Sequence, residues 1–391
     1  MGTSRRKYEE THRWMTFQVD LQRANPALWV LLGESASKIE HIAGVPLKPS
    51  VAKELHQVYL AKGVMATTAI EGNTLTEEQV RKAVDGDLVL PKSQAYLKQE
   101  VDNIIQECES IWGRSQRNEL QALTPKRIGE LNKAVLRGLE LEPEVVPGEI
   151  RGHRVTVGRY LGAPREDCDY LLEKLCAWRP QLVATDQPEL RMPFAIIQAT
   201  VAHLYMAWIH PFGDGNGRTA RLIEYQLMIS AGLPSPVAHL LSNHYNLTRA
   251  DYYRQLDHAS KSGGDIVPFL IYAAQGLVDG LREQISTIRD QQVDLAWRDY
   301  SREILAAHPS SVNGRREAVL RALTEARDWV DIQRVPELSP ALAKAFAGMT
   351  TKAISRDLNA LVEMGLTEKQ SSRIRAKVEI ISAFLPPRSM T

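Results

Sequence analysis

The chain reads HPFGDGNGRTAR over residues 210–221, a stretch with one histidine, one carboxylate, one amide, three glycines and two arginines. Upstream, apolar residues recur every three or four positions, which is typical of a buried helix face: Phe194, Ile197, Val201, Leu204 and Trp208. Downstream, residues 221–229 are largely apolar and lead to Gly232-Leu233-Pro234, a helix stop signal. The pattern predicts a polar turn between two buried helices.

The glycines and arginines of this turn point to a phosphate ligand. Glycine lets backbone N–H groups approach a ligand closely, and a helix that starts near Asn216 offers free N–H groups to an anion. Arg218 and Arg221 are three residues apart and share one helix face. The helix dipole disfavours cations there by about 0.3–1 kcal/mol each, so two arginines are favourable only when a polyanion lies between them.

Asp214 and His210 add a metal ligand and a base to this site. A carboxylate among phosphate-binding groups is favourable when it holds Mg²⁺, which uses one or two carboxylates together with phosphate oxygens. His210 has an ordinary pKa near ~6.5 and suits a general base. A structural histidine in a glycine-rich turn is the simpler alternative for His210. A calcium loop is excluded, since Arg218 and Tyr225 occupy the fifth and twelfth ligand positions.

The rest of the chain is mostly helical in pattern. We expect a helix from Pro49 that ends before Gly72-Asn73, and a capping box at Thr74 or Thr76 that starts the next one. Further helices are predicted at 94–112, from Thr124-Pro125, at 166–178 and at 192–209. Residues 143–164 are rich in proline, glycine and β-branched residues and give the best hairpin signal in the chain.

Composition favours a cytoplasmic protein that does not enter a membrane. The chain has 391 residues and a net charge of +1, so no global field steers it to nucleic acid or lipid. Its three cysteines form no metal motif or disulfide framework. The charged N-terminus is unlike a secretory signal, and the apolar run 27–32 is too short to span a bilayer.

The C-terminal part has a different organisation. We expect a helical connector and linker at 281–313, and then three short helices with a strand pair at 314–391, which suggests a winged helix-turn-helix. Residues 311–391 hold 13 Lys/Arg and 9 Asp/Glu, a net charge of 13 − 9 = +4. Thr351, Lys352, Ser355 and Arg356 could face a DNA major groove. Protein contacts or dimerisation are the alternative use.

Residues 210–221 match the Fic-domain signature HxFx(D/E)GNGRxxR at every fixed position. The resemblance extends over about residues 50–280. Thr67 to Gly72 resembles the inhibitory motif (S/T)xxxE(G/N) of this family, and the hairpin resembles its flap, which docks a target segment by β-augmentation through Arg154, Val155, Thr156 and Val157. The implied fold is mainly α: a Fic helical bundle with a β-hairpin flap, followed by a small winged-helix domain.

This resemblance divides the chain into four parts. An N-terminal helical region with the inhibitory helix would span 1–110, the catalytic core 111–280, the connector and linker 281–313, and the winged helix-turn-helix 314–391. The class with an inhibitory helix before the Fic motif, in the same chain, is the one that fits. A homodimer is also implied by the resemblance.

The resemblance implies transfer of AMP from ATP to a Ser, Thr or Tyr hydroxyl of a target protein or of the chain itself, with release of pyrophosphate. It assigns roles in chain order: His210 as general base, Asp214 as Mg²⁺ ligand, Gly215, Asn216 and Gly217 as anion hole, Arg218 and Arg221 as phosphate contacts, and Tyr253 and Ser260 as adenine contacts. Glu71 would pair with Arg221 and so remove the partner of the γ-phosphate. The alternatives are a DNA-binding regulator that uses the Fic domain as a nucleotide sensor, removal of AMP from a modified protein, and transfer of another phosphate-containing group.

Overall fold

The computed structural model describes residues 5–21, 24–158, 160–182 and 187–382. Contacts divide the chain into two compact units, Met1–Glu283 and Gln284–Thr391. The described helices and strands of the first unit are, in order, α1 (Tyr8–Thr11), α2 (Pro26–Gly44), α3 (Pro49–Ile70), α4 (Glu77–Val84), α5 (Ala95–Gln116), α6 (Pro125–Val135), β1 (Thr156–Val157), β2 (Tyr160–Leu161), α7 (Cys168–Trp178), α8 (Arg191–Ile209), α9 (Asn216–Ser230), α10 (Ser235–Ala238), α11 (Leu240–Leu247), α12 (Arg249–Lys261) and the start of α13 (Val267–Ala307). The predicted, mainly helical fold is confirmed.

The core of the first unit is built on α8 and α9, which pack against each other. Both helices are buried on nearly every face. The sequence of α8 is apolar almost all round, whereas α9 also buries polar side chains, among them Arg218, Arg221 and Glu224. Among the described residues, one segment, Pro188–Ile209, is long and apolar enough to cross a bilayer, and 72% of its most apolar window is buried inside the structure. The turn between α8 and α9 is residues 210–215.

The remaining helices surround this pair and are placed by local signals. α3 packs on α4, α5, α10 and α11, and α6 packs on α9. Thr124 caps α6 with Pro125 in its first turn, as the sequence predicts. Thr76 and Gln79 form the predicted capping box of α4. The N-terminal aromatic Phe17 packs on Trp178 and Tyr205.

The predicted hairpin is much shorter than its sequence signal. β1 and β2 pair antiparallel over two residues each, with Thr156 opposite Leu161 and Val157 opposite Tyr160. Just before β1, the Val155 carbonyl accepts one further hydrogen bond from the Gly162 N–H at 3.1 Å, whereas Ile150 forms a single bridge with Phe212 of the central turn. Ile150 therefore pairs with the central turn rather than with the hairpin.

The second unit contains α14 (Asn313–Ala326), β3 (Val330–Asp331), α15 (Pro340–Phe346), α16 (Thr351–Glu363), β4 (Thr367–Gln370) and β5 (Arg373–Ala376). Its sheet is antiparallel with the order β3-β5-β4. Strand β5 ends at Ala376, and a 3₁₀ turn follows it. Asp357 is buried on α16 and pairs with Arg315 at 2.6 Å and with Arg316 at 3.3 Å on α14.

The region predicted as helical connector and linker, 281–313, contains the second part of a long helix. Residues 267–307 form one uninterrupted helix, α13, and α14 already begins at Asn313. Trp297 and Leu305 of α13 are buried in the core of the second unit with Leu320, Leu342 and Leu361. The second half of α13 therefore contributes side chains to the core of that unit.

Candidate active site

The central turn reverses the chain between α8 and α9. His210 adopts the left-handed conformation that ends α8 (φ 49°, ψ 57°). Phe212 is buried and anchors the turn in the core. The Asn216 side chain accepts from the Phe212 N–H at 2.9 Å and donates to the Phe212 carbonyl at 2.8 Å. Because both ends of the Asn216 amide hold the loop, its backbone N–H is the group it can offer to an anion.

His210 is held in the tautomer that a general base requires. Its Nδ1 lies 3.4 Å from the carbonyl oxygen of Ala207. A carbonyl accepts only, so Nδ1 carries the proton and Nε2 keeps its lone pair. Burial, assisted by the nearby Arg151 cation, lowers the pKa of His210 to about 4, although the Ala207 carbonyl and the carboxylates of Glu71 and Asp214 oppose this shift. The imidazole is therefore neutral at physiological pH.

The N-terminus of α9 faces the carboxylate of Glu71. The first N–H groups of a helix have no partner inside the helix and attract anions. A Cβ added to Gly217, in the first turn, would lie 2.1 Å from Glu71 Oε1. Only glycine at this position leaves room for the carboxylate. In this conformation Glu71 thus takes a place suited to a phosphate oxygen.

The structure brings Glu71 and Arg221 together as predicted from the resemblance. Arg221 Nη2 donates to Glu71 Oε1 at 2.5 Å and to the carbonyl of Thr67 at 3.0 Å. The Arg221 side chain is 1% exposed. Burial by itself would raise the pKa of Glu71, but the Arg221 charge and hydrogen bond outweigh it, with help from Arg218 and His210, and the pKa is lowered. Glu71 is therefore an ionised partner of Arg221 at neutral pH.

Arg218 has its own partners, which the sequence did not reveal. Its Nη1 donates to Glu100 Oε1 on α5 at 2.9 Å, and its Nη2 lies 3.3 Å from Asp214 Oδ1. The other Glu100 oxygen accepts from Asn73 Nδ2 at 2.9 Å. A chain of hydrogen bonds therefore links the turn after Glu71 to the first arginine of the motif.

Asp214 presents a carboxylate to solvent at the edge of the turn. Its side chain is 49% exposed, and Oδ1 also accepts from the Gly215 N–H at 2.5 Å. In the part of the chain that the structure describes, no group of three or more His, Cys, Asp or Glu side chains could hold a metal by itself. A single open carboxylate nonetheless fits Mg²⁺ that is bound mainly through substrate phosphates and water.

Two predicted adenine contacts lie on α12. Tyr253 is 42% exposed, and its hydroxyl donates to the Ile70 carbonyl at 3.5 Å. Ser260 is nearly buried, and its hydroxyl donates to the Asp257 carbonyl of its own helix at 2.8 Å. Tyr252, the neighbour of Tyr253, is a core aromatic that bonds to His203 Nε2 at 2.8 Å. Tyr253 is thus the open tyrosine of the pair.

The flap residues lie on the surface. Arg154, Thr156 and Val157 are exposed, and Val155 is half-buried. On the other strand, the hydroxyl of Tyr160 donates to the Trp208 carbonyl at 2.7 Å, which ties β2 to the end of α8. The hairpin is therefore fixed along β2, while side chains of β1 remain open to a partner.

Arg151 and Asn132 join the flap region to the central turn. Arg151 is 3% exposed and donates to the carbonyls of His210 at 2.8 Å, His153 at 2.7 Å and Ala163 at 2.6 Å. Asn132 donates to the Asp214 carbonyl at 2.9 Å and accepts from the Gly148 N–H at 2.9 Å. Neither residue was predicted as a site residue. A single buried arginine or asparagine carries no local pattern that marks its partners.

Known proteins resemble this chain around the same site. The profile of the Fic/DOC family matches residues 122–228. Protein adenylyltransferase fic-1 of Caenorhabditis elegans is 29% identical over 259 residues, which are 66% of this chain and 47% of that protein. Protein adenylyltransferase Fic of Nematostella vectensis is 27% identical over 263 residues, which are 65% of this chain and 56% of that protein. The chain thus spans about half the length of these curated relatives.

A solved structure shares the fold. The crystal structure of a Fic family protein from Desulfovibrio desulfuricans G20 superimposes with a TM-score of 0.55 at 22% identity, over 90% of this chain and 96% of that one. At this identity the likeness concerns the fold alone. The family profile and the intact motif at residues 210–221 lead to one assignment: residues 122–228 of this chain form a domain of the Fic/DOC family.

Proposed function

We propose that this protein transfers AMP from ATP to a hydroxyl group of a target protein and that Glu71 keeps the site inhibited at rest. The observation that carries the proposal is the turn itself: a neutral His210 with a free Nε2 stands beside a helix N-terminus and two buried arginines. The adenylyltransferase names of the relatives from Caenorhabditis elegans and Nematostella vectensis support the same chemistry.

The proposed reaction is a nucleotidyl transfer. His210 Nε2 takes the proton from a Ser, Thr or Tyr hydroxyl. At the same time, the oxygen of that hydroxyl forms a bond to the α-phosphorus of ATP. The bond between the α-phosphorus and the bridging oxygen breaks, and pyrophosphate leaves. Backbone N–H groups at Gly215, Asn216 and Gly217 hold phosphate oxygens. Arg218 and Arg221 bind the phosphate chain once they leave their carboxylate partners.

Asp214 is the residue that would hold Mg²⁺ with the nucleotide. When bound, Mg²⁺ neutralises charge on the phosphates. Arg218 already contacts Asp214, so a bound phosphate chain would share the guanidinium with this carboxylate. Tyr253 and Ser260 on α12 are proposed to contact the adenine, and the exposed residues Thr156 and Val157 to pair with the target segment.

Labelled ATP tests the proposal directly. The Glu71→Gly variant is incubated with a cell extract and Mg²⁺, with ATP labelled either on the α- or on the γ-phosphate. Protein should acquire the α-label and not the γ-label, and Glu71→Gly combined with His210→Ala should lose the label. Incorporation of the γ-label would indicate phosphoryl transfer instead, and α-label that survives without His210 would contradict its role as base.

A second candidate function is DNA binding by the C-terminal unit, in which the Fic domain would serve as a nucleotide sensor. Thr351, Lys352 and Arg356 are exposed on α16, and Ser355 is half-buried. Basic and hydroxyl side chains on one exposed helix favour phosphate and base-edge contacts. The full chain should shift duplex DNA at low salt and lose this with added salt, and Lys352→Ala combined with Arg356→Ala should weaken the shift. Equal shifts by both proteins would assign this surface to other contacts.

We also propose that the protein is cytoplasmic and forms a homodimer. The cysteines Cys108, Cys168 and Cys176 are all free, which suits a reducing cytoplasm. A homodimer, self-modification and removal of AMP from modified protein rest on the family resemblance. Sedimentation of the purified chain, mass spectrometry of the chain after incubation with ATP, and incubation with a modified target address these three points.

A further inference from the structure

We propose that Arg249 is a positioning residue that holds the inhibitory turn in place from α12. This inference rests on the proposed function, since it concerns how Glu71 is kept at Arg221. It assigns to Arg249 a contact with the end of α3 rather than a contact with substrate. Three observations support it: the hydrogen bonds at the end of α3, the absence of a basic residue from the last turn of α3, and the location of Arg249 beside Tyr253.

Helix α3 ends in a turn that leaves specific carbonyl groups for outside donors. The N–H of Asn73 binds the Thr68 carbonyl at 3.1 Å and the N–H of Gly72 binds the Ala69 carbonyl at 3.0 Å, which is a Schellman motif. Gly72 has the positive φ of 103° that this motif requires. Glu71 also donates its N–H to the Thr68 carbonyl at 3.1 Å. The carbonyls of residues 67 and 70 therefore depend on side chains of other helices.

Two arginines supply those donors, one from α9 and one from α12. Arg221 of α9 donates to the Thr67 carbonyl at 3.0 Å. Arg249 of α12 donates from Nη2 to the Ile70 carbonyl and from Nη1 to the Ala69 carbonyl at 3.2 Å. The last turn of α3 has no basic residue of its own, so Arg249, like Arg221, is also a cation that complements its dipole. Glu71 immediately follows the carbonyl that Arg249 binds.

The location of Arg249 links this contact to the nucleotide site. Its guanidinium carbon lies 6.0 Å from the ring centroid of Tyr253, within cation–π range. The Tyr253 hydroxyl approaches the same Ile70 carbonyl at 3.5 Å. Loss of the Arg249 side chain would leave Ile70 with this longer contact. The last turn of α3 would then open more often and release Glu71 from Arg221.

Two readouts test the inference, and the matched control is Arg254→Ala. Arg254 lies on the same helix, is 70% exposed and pairs with Asp251, so its loss should not affect α3. In Arg249→Ala, hydrogen exchange of the amides of residues 71–73 should be about two- to fivefold faster than in wild type, the range a cation at a helix C-terminus contributes. Arg249→Lys should exchange between the two. Unchanged exchange in Arg249→Ala would overturn the proposal whatever the activity of the protein.

Self-labelling with α-labelled ATP gives the second readout. Arg249→Ala alone should label about two- to fivefold faster than wild type, but in the Glu71→Gly background it should leave the rate unchanged, since both changes release the same contact. A fall in rate in the Glu71→Gly background would assign Arg249 to substrate binding and overturn the inference. If Glu71→Gly itself labels no faster than wild type, the proposed inhibition fails instead, and the hydrogen exchange result alone decides the role of Arg249.

Discussion

At the scale of single residues, the Arg221 guanidinium can bind one of two anions, the Glu71 carboxylate or the γ-phosphate of a nucleotide. Its guanidinium is buried and bound to Glu71, whose carboxylate lies against Gly217 at the N-terminus of α9. The γ-phosphate of ATP would need the same guanidinium. Under the proposed function, the carboxylate and the nucleotide would therefore compete through a contact between residues 150 positions apart.

His210 should titrate well below an ordinary histidine. Burial lowers its folded pKa to about 4, while an unfolded chain would bind this proton near its ordinary pKa of about 6.5. The histidine therefore disfavours the native state progressively as pH falls from about 6.5 towards 4, and it remains a neutral base above that range. NMR titration of His210 should give a midpoint below 5, and a midpoint near 6.5 would contradict the burial of the base.

The same titration reports the charge of Glu71. An anion beside the imidazole favours its protonated form, so Glu71→Gln should lower the pKa of His210 further. A rise in the midpoint would mean that the two side chains do not interact as the structure places them.

The arrangement of the motif residues was predictable because these residues lie close together in the sequence. The turn, the helix start and the pair of arginines follow from the spacing of residues 210–221. Glu100 was not predictable, since it is an ordinary helix carboxylate until the fold places it 2.9 Å from Arg218, 118 residues along the chain.

At the scale of elements, the central turn is held by α6 and by the segment that leads to the hairpin. The Asn132 side chain of α6 binds both the Asp214 carbonyl and the Gly148 N–H. Arg151 satisfies three carbonyls of the surrounding loops. Strand pairing was overestimated from the sequence because a β-branched, glycine-rich run predicts a hairpin equally well whether its backbone bonds to itself or to another loop.

Asn132→Ala should weaken this support. The change leaves two backbone groups without their partner and should lower the free energy of unfolding by about 1–3 kcal/mol. Labelling in the Glu71→Gly background should also fall, since the Asp214 turn is released. Lys126→Ala, an exposed position on the same helix, is the control. Equal stability of the two variants in urea unfolding would contradict this role for Asn132.

At the scale of the whole molecule, the chain forms two units with separate cores. The boundary at residues 283–284 falls within the residue range of α13. A shift from apolar to charged composition near residue 281 predicts a boundary between domains, but it does not predict a helix end, because leucine, glutamine, arginine and glutamate all sustain a helix. The helices of the second unit were predictable from their periodicity, whereas the burial of Trp297 in its core was not.

Leu361→Ala should destabilise the second unit selectively. Leu361 is fully buried in its core, and a leucine truncated to alanine there costs about 2–5 kcal/mol. Calorimetry should show one transition moved to lower temperature, while labelling in the Glu71→Gly background is retained. Asn359→Ala, exposed on the same helix, should change neither. Loss of labelling in Leu361→Ala would show that the first unit depends on the second.

The central claim is that the Glu71 carboxylate inhibits the proposed active site. The initial rate at which protein acquires AMP from α-labelled ATP tests this claim most directly. The rate is compared among wild type, Glu71→Gly and the exposed control Glu77→Ala at one ATP and Mg²⁺ concentration. A hydrogen bond between charged groups is worth about 1.5–3 kcal/mol, so Glu71→Gly should label at least about tenfold faster than wild type, and the control should match wild type. A rate in Glu71→Gly equal to that of wild type, in a protein that still binds ATP, would contradict the account.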